Sequence, residues 1–497
     1  MSASANIPAG RCANEWISRQ IEGTFSEKQP LWMKASETSA GYGLRHAALS
    51  PLETIAQSIS GACPTLTPFV TVPLVFTLAG NGTWLAYGLA TVAILLVAWC
   101  IGRFARYSSS PGSLYSYAAM ILPPWLGATV AWSLLLAYIA GSASNIGGFY
   151  HYTNVMLRNT TGHTVSTLLL ATIVAVPPVW IAWRDVKISA RLMLAIEAIS
   201  VSVVAIVMAL VLFRHGLHGD PEQFHLRGVT PGGFRQGLVL SLYSFVGFES
   251  ATALGSEARN PLKSIPRAVI LTAVLTGVFF TICAYVEVLG LRMSGQGLGT
   301  ADLPLHVLAR VGGVPVLGLL IDIGALVALF AGILACLTAA ARVLLLMSHN
   351  GLAHVSLRST HARNETPTGA IVVTGLAAFL PVAFLAARGT SGLDVYGWLG
   401  TLATYGFVVS YGLVCFALPG YLRDRHGVVN WATKTIPWIA CAAMVFALVA
   451  NLYPVPEGAY GKLPYIFLAY LAVTVLVFLF RARAKTAASE ESAQEES

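Results

Sequence analysis

The chain reads as an all-α protein built to sit in a lipid bilayer, and three observations carry that expectation. Hydrophobic residues make up 56% of its 497 positions and charged residues only 10%, which leaves too few charges to cover a water-exposed surface. The charges are also unevenly placed: no Asp, Glu, Lys or Arg occurs between Arg106 and Arg158, and Glu53 alone falls between His46 and Gly102. Finally, apolar runs of roughly 20 residues, the length that crosses a bilayer, recur about twelve times.

Divided at their polar punctuation, these runs lie near 52–79, 84–106, 123–156, 164–183, 187–213, 234–258, 266–292, 314–347, 368–387, 394–420, 435–453 and 462–480. Residues 1–50 ahead of them are polar and mixed in charge, without the basic region and short apolar core of a cleavable signal peptide, so the first span is expected to act as signal anchor. Residues 482–497 form a polar tail ending in Glu490, Glu491, Glu495 and Glu496, expected to be disordered.

Orientation follows from the basic residues. With the amino terminus inside, cytoplasmic segments hold about 22 of the Lys and Arg and external ones about 8, as the positive-inside rule requires. Both termini are therefore expected in the cytoplasm and the chain in an inner or plasma membrane. The same rule accounts for the net charge of +8 without nucleic acid. Cys63, Cys100, Cys283, Cys336, Cys415 and Cys441 fall inside apolar segments without metal-ligand or CxxC spacing and read as small buried hydrophobes. No metal or cofactor is expected.

The chemistry is expected at two interruptions. In the first span, Ser60-Gly61-Ala62-Cys63-Pro64-Thr65 combines a weak helix former with a proline that removes an amide donor. Backbone groups freed inside a membrane must be satisfied by protein, water or a ligand, which makes this break a candidate binding site as well as a candidate proline kink. The sixth span reads Tyr243-Ser244-Phe245-Val246-Gly247-Phe248-Glu249-Ser250-Ala251 and places a glycine and a carboxyl at mid-membrane, where an ionisable group is functional by default. Two broken helices five spans apart and opposite in direction are the mark of inverted-repeat transporters.

These residues also resemble a family. Gly247-Phe248-Glu249, then Ser256-Glu257-Ala258-Arg259-Asn260-Pro261 and Ser264-Ile265-Pro266-Arg267-Ala268, is similar to the sixth-to-seventh helix signature of the amino acid-polyamine-organocation permeases. Ser110-Pro111-Gly112-Ser113-Leu114-Tyr115-Ser116-Tyr117, and Arg342 with Met347-Ser348-His349-Asn350-Gly351-Leu352, resemble two further segments of that family.

The resemblance implies a five-plus-five inverted-repeat, leucine-transporter-like fold with helices 1 and 6 broken. The repeats would span 51–213 and 234–420, with peripheral helices over 421–481. It further implies alternating access around one central site for an amino acid or related amine. The backbone at Ser60, Gly61 and Ala62, with Cys63 beside them, would receive the substrate carboxylate at a half-helix end. Carbonyls near Phe245, Val246 and Phe248, around Gly247 and Ser250, would receive the amino group. Tyr243 would fall where related exchangers carry an aromatic gate.

Two carboxyls are candidates for coupling. Glu249 could couple transport to protons, serve as counter-ion for a cationic substrate, or be a carboxyl kept neutral by burial. Glu197, near the middle of the fifth span, departs from some proton-dependent relatives that have a lysine at that place, and a carboxylate there could ligate sodium, cycle a proton or pair with a neighbour. Sodium sites in the fold that the resemblance implies draw hydroxyl oxygens from the eighth helix, and because Ile323–Leu337 contains no Ser or Thr, protons or simple exchange are expected over sodium. Glu287 and Asp322 lie toward the outer span ends, where carboxyls are expected to reach interfacial water. The chain has no HExxH helix, nucleophile elbow or P-loop lysine, so an enzyme is not expected. A non-transporting sensor or an exchanger of cationic amino acids or polyamines remain alternatives.

Overall fold

The computed structural model describes residues 42–184, 186–215, 219–295, 303–427, 430–453 and 458–495; most of the polar amino-terminal segment, with Cys12, lies outside the described residues. The helices in order are α1 (Pro51–Ala62), α2 (Val72–Ala79), α3 (Thr83–Ala105), α4 (Ser113–Ala119), α5 (Pro124–Thr161), α6 (Thr167–Arg184), α7 (Val186–His215), α8 (Pro221–Phe224), α9 (Pro231–Tyr243), α10 (Pro261–Met293), α11 (Pro304–Val311), α12 (Pro315–His349), α13 (Thr368–Ala387), α14 (Gly392–His426), α15 (Trp431–Leu452) and α16 (Leu463–Glu495). The last of these includes most of the acidic tail.

Ten segments among the described residues are long and apolar enough to cross a membrane. The expected number was about twelve, and the difference has a local cause at each break. Pro51–Ala105 is one continuous apolar segment of 55 residues that covers the first two expected spans. The sixth expected span contains a helix of only 13 residues, α9, followed by turns and a 3-10 stretch, Ser250–Leu254.

Helix α1 starts at a Ser50 capping box, in which the Glu53 carboxylate accepts from the Ser50 amide at 2.7 Å and the Ser50 hydroxyl accepts from the Glu53 amide at 3.3 Å. Such reciprocal caps satisfy two otherwise orphaned donors. The helix ends where Cys63 turns left-handed at φ 46° just before Pro64. The chain resumes as a π-helical turn, Thr67–Thr71, leading into α2. In the sixth span Gly247, at φ 88°, makes a turn that a side chain would strain.

At the centre, α5 packs along α14 and α12, and α10 along α3. Large apolar side chains on the periphery, such as Leu376, Val445 and Ile466, stand more than half exposed, as lipid-facing residues do. At the end where α1 begins, Leu49 pairs with Ala258 in an isolated parallel bridge, its amide donating to Glu257 O at 2.9 Å and its carbonyl accepting from Arg259 N at 2.8 Å. The buried Arg342 and Glu257 side chains form a two-pronged ion pair beside it, with Arg342 Nη2 donating to Glu257 Oε1 at 2.8 Å and Nε donating to Oε2.

Candidate functional site

The two breaks meet. A Cβ built on Gly61 would lie 2.5 Å from the Gly247 carbonyl oxygen, and one built on Gly247 would lie 2.6 Å from the Gly61 carbonyl oxygen. The chains cross backbone against backbone, which only two glycines permit. The crossing is tied on both sides: Ser250 Oγ donates to Gln57 O at 2.8 Å, the Ala251 amide donates to Ser58 Oγ at 3.1 Å, and Gln57 Nε2 reaches Ala335 O on α12 at 3.0 Å.

Beside the crossing lies a cavity of about 40 Å³, room for roughly three water molecules; a larger guest requires its walls to move. Gly61, Ala62, Cys63, Tyr243 and Val246 line it, bringing together residues from both interruptions. Ser60, Phe245, Gly247, Phe248, Glu249 and Ser250 are not among its lining residues. Phe245 packs edge-on against Phe280, and Phe248 against Tyr411.

Glu249 is fully buried and braced rather than presented. Its Oε1 accepts from the Tyr138 hydroxyl at 2.7 Å and its Oε2 from the Tyr411 hydroxyl, which in turn accepts from the Gly247 amide at 3.4 Å. The carboxyl thereby connects α5, α14 and the turn of the sixth span. Tyr243 reaches across toward α5 and α14: its hydroxyl lies 3.3 Å from Ser144 Oγ, and its ring meets that of Tyr396 edge to face at 6.2 Å.

Glu197 comes from α7 to the other side of the first break. Its Oε2 accepts from Thr65 Oγ1 at 3.3 Å, and its Oε1 has no partner among the described residues. The two outer carboxyls depart from the expectation that they reach interfacial water. Glu287 is 0% exposed, on a helix that packs against α3, α1, α11 and α7. Asp322 is 5% exposed and its Oδ2 lies 2.9 Å from His306 Nδ1 on α11.

Several lining residues escaped the reading of the sequence: Thr67, Thr71, Asn145, Ser244, Cys336 and Tyr396. Asn145 carried a signal, as an amide within the charge-free stretch from 107 to 157. Cys336 carried none, since a cysteine in an apolar helix has the same appearance whether it faces core or cavity.

Comparisons with known proteins agree with this architecture. The amino acid permease family model matches residues 53–491. The chain is 24% identical to the methylthioribose transporter of Bacillus subtilis (strain 168), over 82% of this chain and 87% of that protein. It is 25% identical to the low-affinity putrescine importer PlaP of Escherichia coli (strain K12), over 69% and 75%. Among solved structures, the substrate-bound, outward-open state of a sodium-coupled sialic acid symporter superposes with a TM-score of 0.51 at 15% identity, covering 85% of this chain and 94% of that one. That likeness establishes the leucine-transporter-like fold. The all-helical build, the apolar spans and a family match over most of the chain establish a multi-pass membrane protein and secondary transporter: the chain belongs to the amino acid permease family of the amino acid-polyamine-organocation superfamily.

Proposed function

We propose that the protein imports neutral amino acids by alternating access, linked to protons rather than sodium. The observation that carries this reading is the wall of the cavity, which contains no carboxylate among the described residues: its polar groups are the hydroxyls of Thr67, Thr71, Ser244, Tyr243 and Tyr396, the Asn145 amide, two thiols and the backbone of the first break. A cationic side chain buried there would lack a counter-ion, at a cost of several kcal/mol. A zwitterion whose carboxylate meets the backbone near Gly61 and Ala62, and whose amino group meets carbonyls near Val246, needs none.

In this reading Glu197 carries the coupling proton, because it touches Thr65 in the broken segment and keeps one oxygen unpartnered. Glu249, with both oxygens engaged by tyrosines, holds the second break in shape. Replacing Glu249 with Gln tests this division, since loss of the pH response of uptake would assign coupling to Glu249 instead. Residues 51–213 and 234–420 form the two inverted repeats, 421–481 the peripheral helices, and both termini face the cytoplasm.

The likeness to a putrescine importer favours amines as the competing substrate class. A thermal-shift screen of purified protein separates the two, because ligands that bind the folded state raise its apparent stability. Neutral amino acids are expected to stabilise the protein and diamines and arginine to leave it unchanged. Stabilisation by diamines alone would overturn the proposal.

A further inference from the structure

Glu287 on α10 is a buried carboxyl to which neither substrate binding nor the Glu197 proton assigns a task. It is 0% exposed, and neither carboxyl oxygen has a hydrogen-bond partner among the described residues. Cys283 lies one turn away on its own helix, and Tyr87 on α3 packs its ring edge-on against Phe280 of α10 at 6.1 Å. Neither supplies a positive charge.

The charged and titratable groups on the elements packed against α10 are engaged elsewhere or sit at the helix ends. On α11, His306 pairs with Asp322, and Arg310 is exposed. On α7, Arg214 donates to Val311 O, Arg191 is held by Glu53 of α1, Glu197 takes Thr65, and His215 is the last residue of the helix. On α3, Arg103 stacks on Trp99. On α10 itself, Arg292 is held by Asp220 and Glu222. The π turn Thr67–Thr71, α2 and the 3-10 stretch Ser250–Leu254 contain no titratable residue. An ionised carboxylate in that surrounding would be uncompensated, which is strongly unfavourable inside a membrane protein. A proton is the neutralising partner available.

A polar pair lies between α10 and the cavity. The Tyr87 hydroxyl lies 3.0 Å from Ser244 Oγ, and Ser244 lines the cavity. Glu287 makes no hydrogen bond to Tyr87 among the described residues, so a proton passes between them only when the side chains or a water close that gap. We infer that Glu287 is a second proton-carrying site of the transport cycle, exchanging its proton with the cavity through Tyr87 and Ser244, so that two protons accompany each substrate. The balance is simple: Glu287 takes up one proton and releases one per cycle, while each hydroxyl accepts one and passes one on.

This inference rests on the proton-linked reading, and the test separates the two. In proteoliposomes with the membrane potential clamped, each coupled proton multiplies the limiting substrate accumulation by about ten per unit of pH gradient. The logarithm of accumulation should therefore rise with a slope of two for the wild type and one for Glu287→Gln, with substrate counterflow retained in the variant and Glu287→Asp intermediate. Equal non-zero slopes in wild type and Glu287→Gln would overturn the second proton. A wild-type slope of zero would remove the proton-linked reading itself. Infrared spectroscopy of the purified protein then decides the site independently: the protonated-carboxyl band, to which Glu197 also contributes, should lose intensity in Glu287→Gln, and an unchanged band would overturn the assignment.

Discussion

Gly61 and Gly247 touch backbone to backbone where the two broken helices cross, each standing where a methyl group would lie 2.5 to 2.6 Å from the other's carbonyl oxygen. The contact makes the two interruptions one structural unit, so that a rearrangement of one must be answered by the other.

Gly61→Ala and Gly247→Ala should therefore both abolish uptake. Overpacking of this kind costs about 1–3 kcal/mol, and at Gly247 the backbone at φ 88° adds strain. Thermal unfolding in detergent should show both variants destabilised. Wild-type uptake by Gly61→Ala would show that the breaks do not need their close approach.

The tyrosine brace on Glu249 predicts a dissociation between stability and binding. Tyr138→Phe or Tyr411→Phe removes one donor from a buried carboxyl and should cost about 1–3 kcal/mol. Neither tyrosine lines the cavity, so substrate affinity should move much less than thermal stability. Calorimetric titration and a melting curve on the same preparations check this, and a selective loss of affinity would place Glu249 and its tyrosines in the binding site.

The buried pair of Arg342 and Glu257 gives a third expectation. Removing one charge leaves the other unpaired, at about 3–5 kcal/mol, so Arg342→Met should be strongly destabilised. The double replacement Arg342→Met with Glu257→Leu should recover most of the loss. A double variant as unstable as the sum of the two single changes would mean that the pair is not coupled.

Cys63, Cys336, Cys100 and Cys415 are all buried, but Cys63 and Cys336 line the cavity and Cys100 and Cys415 do not. In variants that keep one cysteine at a time, a small thiol reagent should label Cys63 and Cys336, and substrate should slow that labelling several-fold. Cys100 and Cys415 should react slowly with or without substrate. Labelling of Cys336 that substrate does not slow would move the site elsewhere.

Local effects on the backbone are legible in the amino-acid sequence of this protein. Apolar runs locate most of the long helices to within about six residues, though not their number, and Gly61, Pro64 and Gly247 locate the breaks, because each acts on the chain next to it. Contacts between distant segments are not legible. Glu249 stands out as a mid-membrane carboxyl, but the two hydroxyls that hold it come from Tyr138 and Tyr411, far away in the chain. Glu287 lies close enough to a span end to suggest contact with water, and only the packing of α3, α1, α11 and α7 around its helix encloses it. Tyr396, Asn145 and Cys336 reach the cavity through helix rotations that weakly amphipathic helices, packed at the centre of the bundle, do not reveal.

Proton-linked movement of a neutral amino acid through the crossing at Gly61 and Gly247 is tested most directly by uptake of a labelled neutral amino acid into sodium-free proteoliposomes. The gradient is set acid outside, and the measurement is repeated with putrescine in excess. Accumulation should collapse with a protonophore and be unaffected by putrescine. Uptake that needs sodium, or that putrescine suppresses completely, would contradict the proposed function.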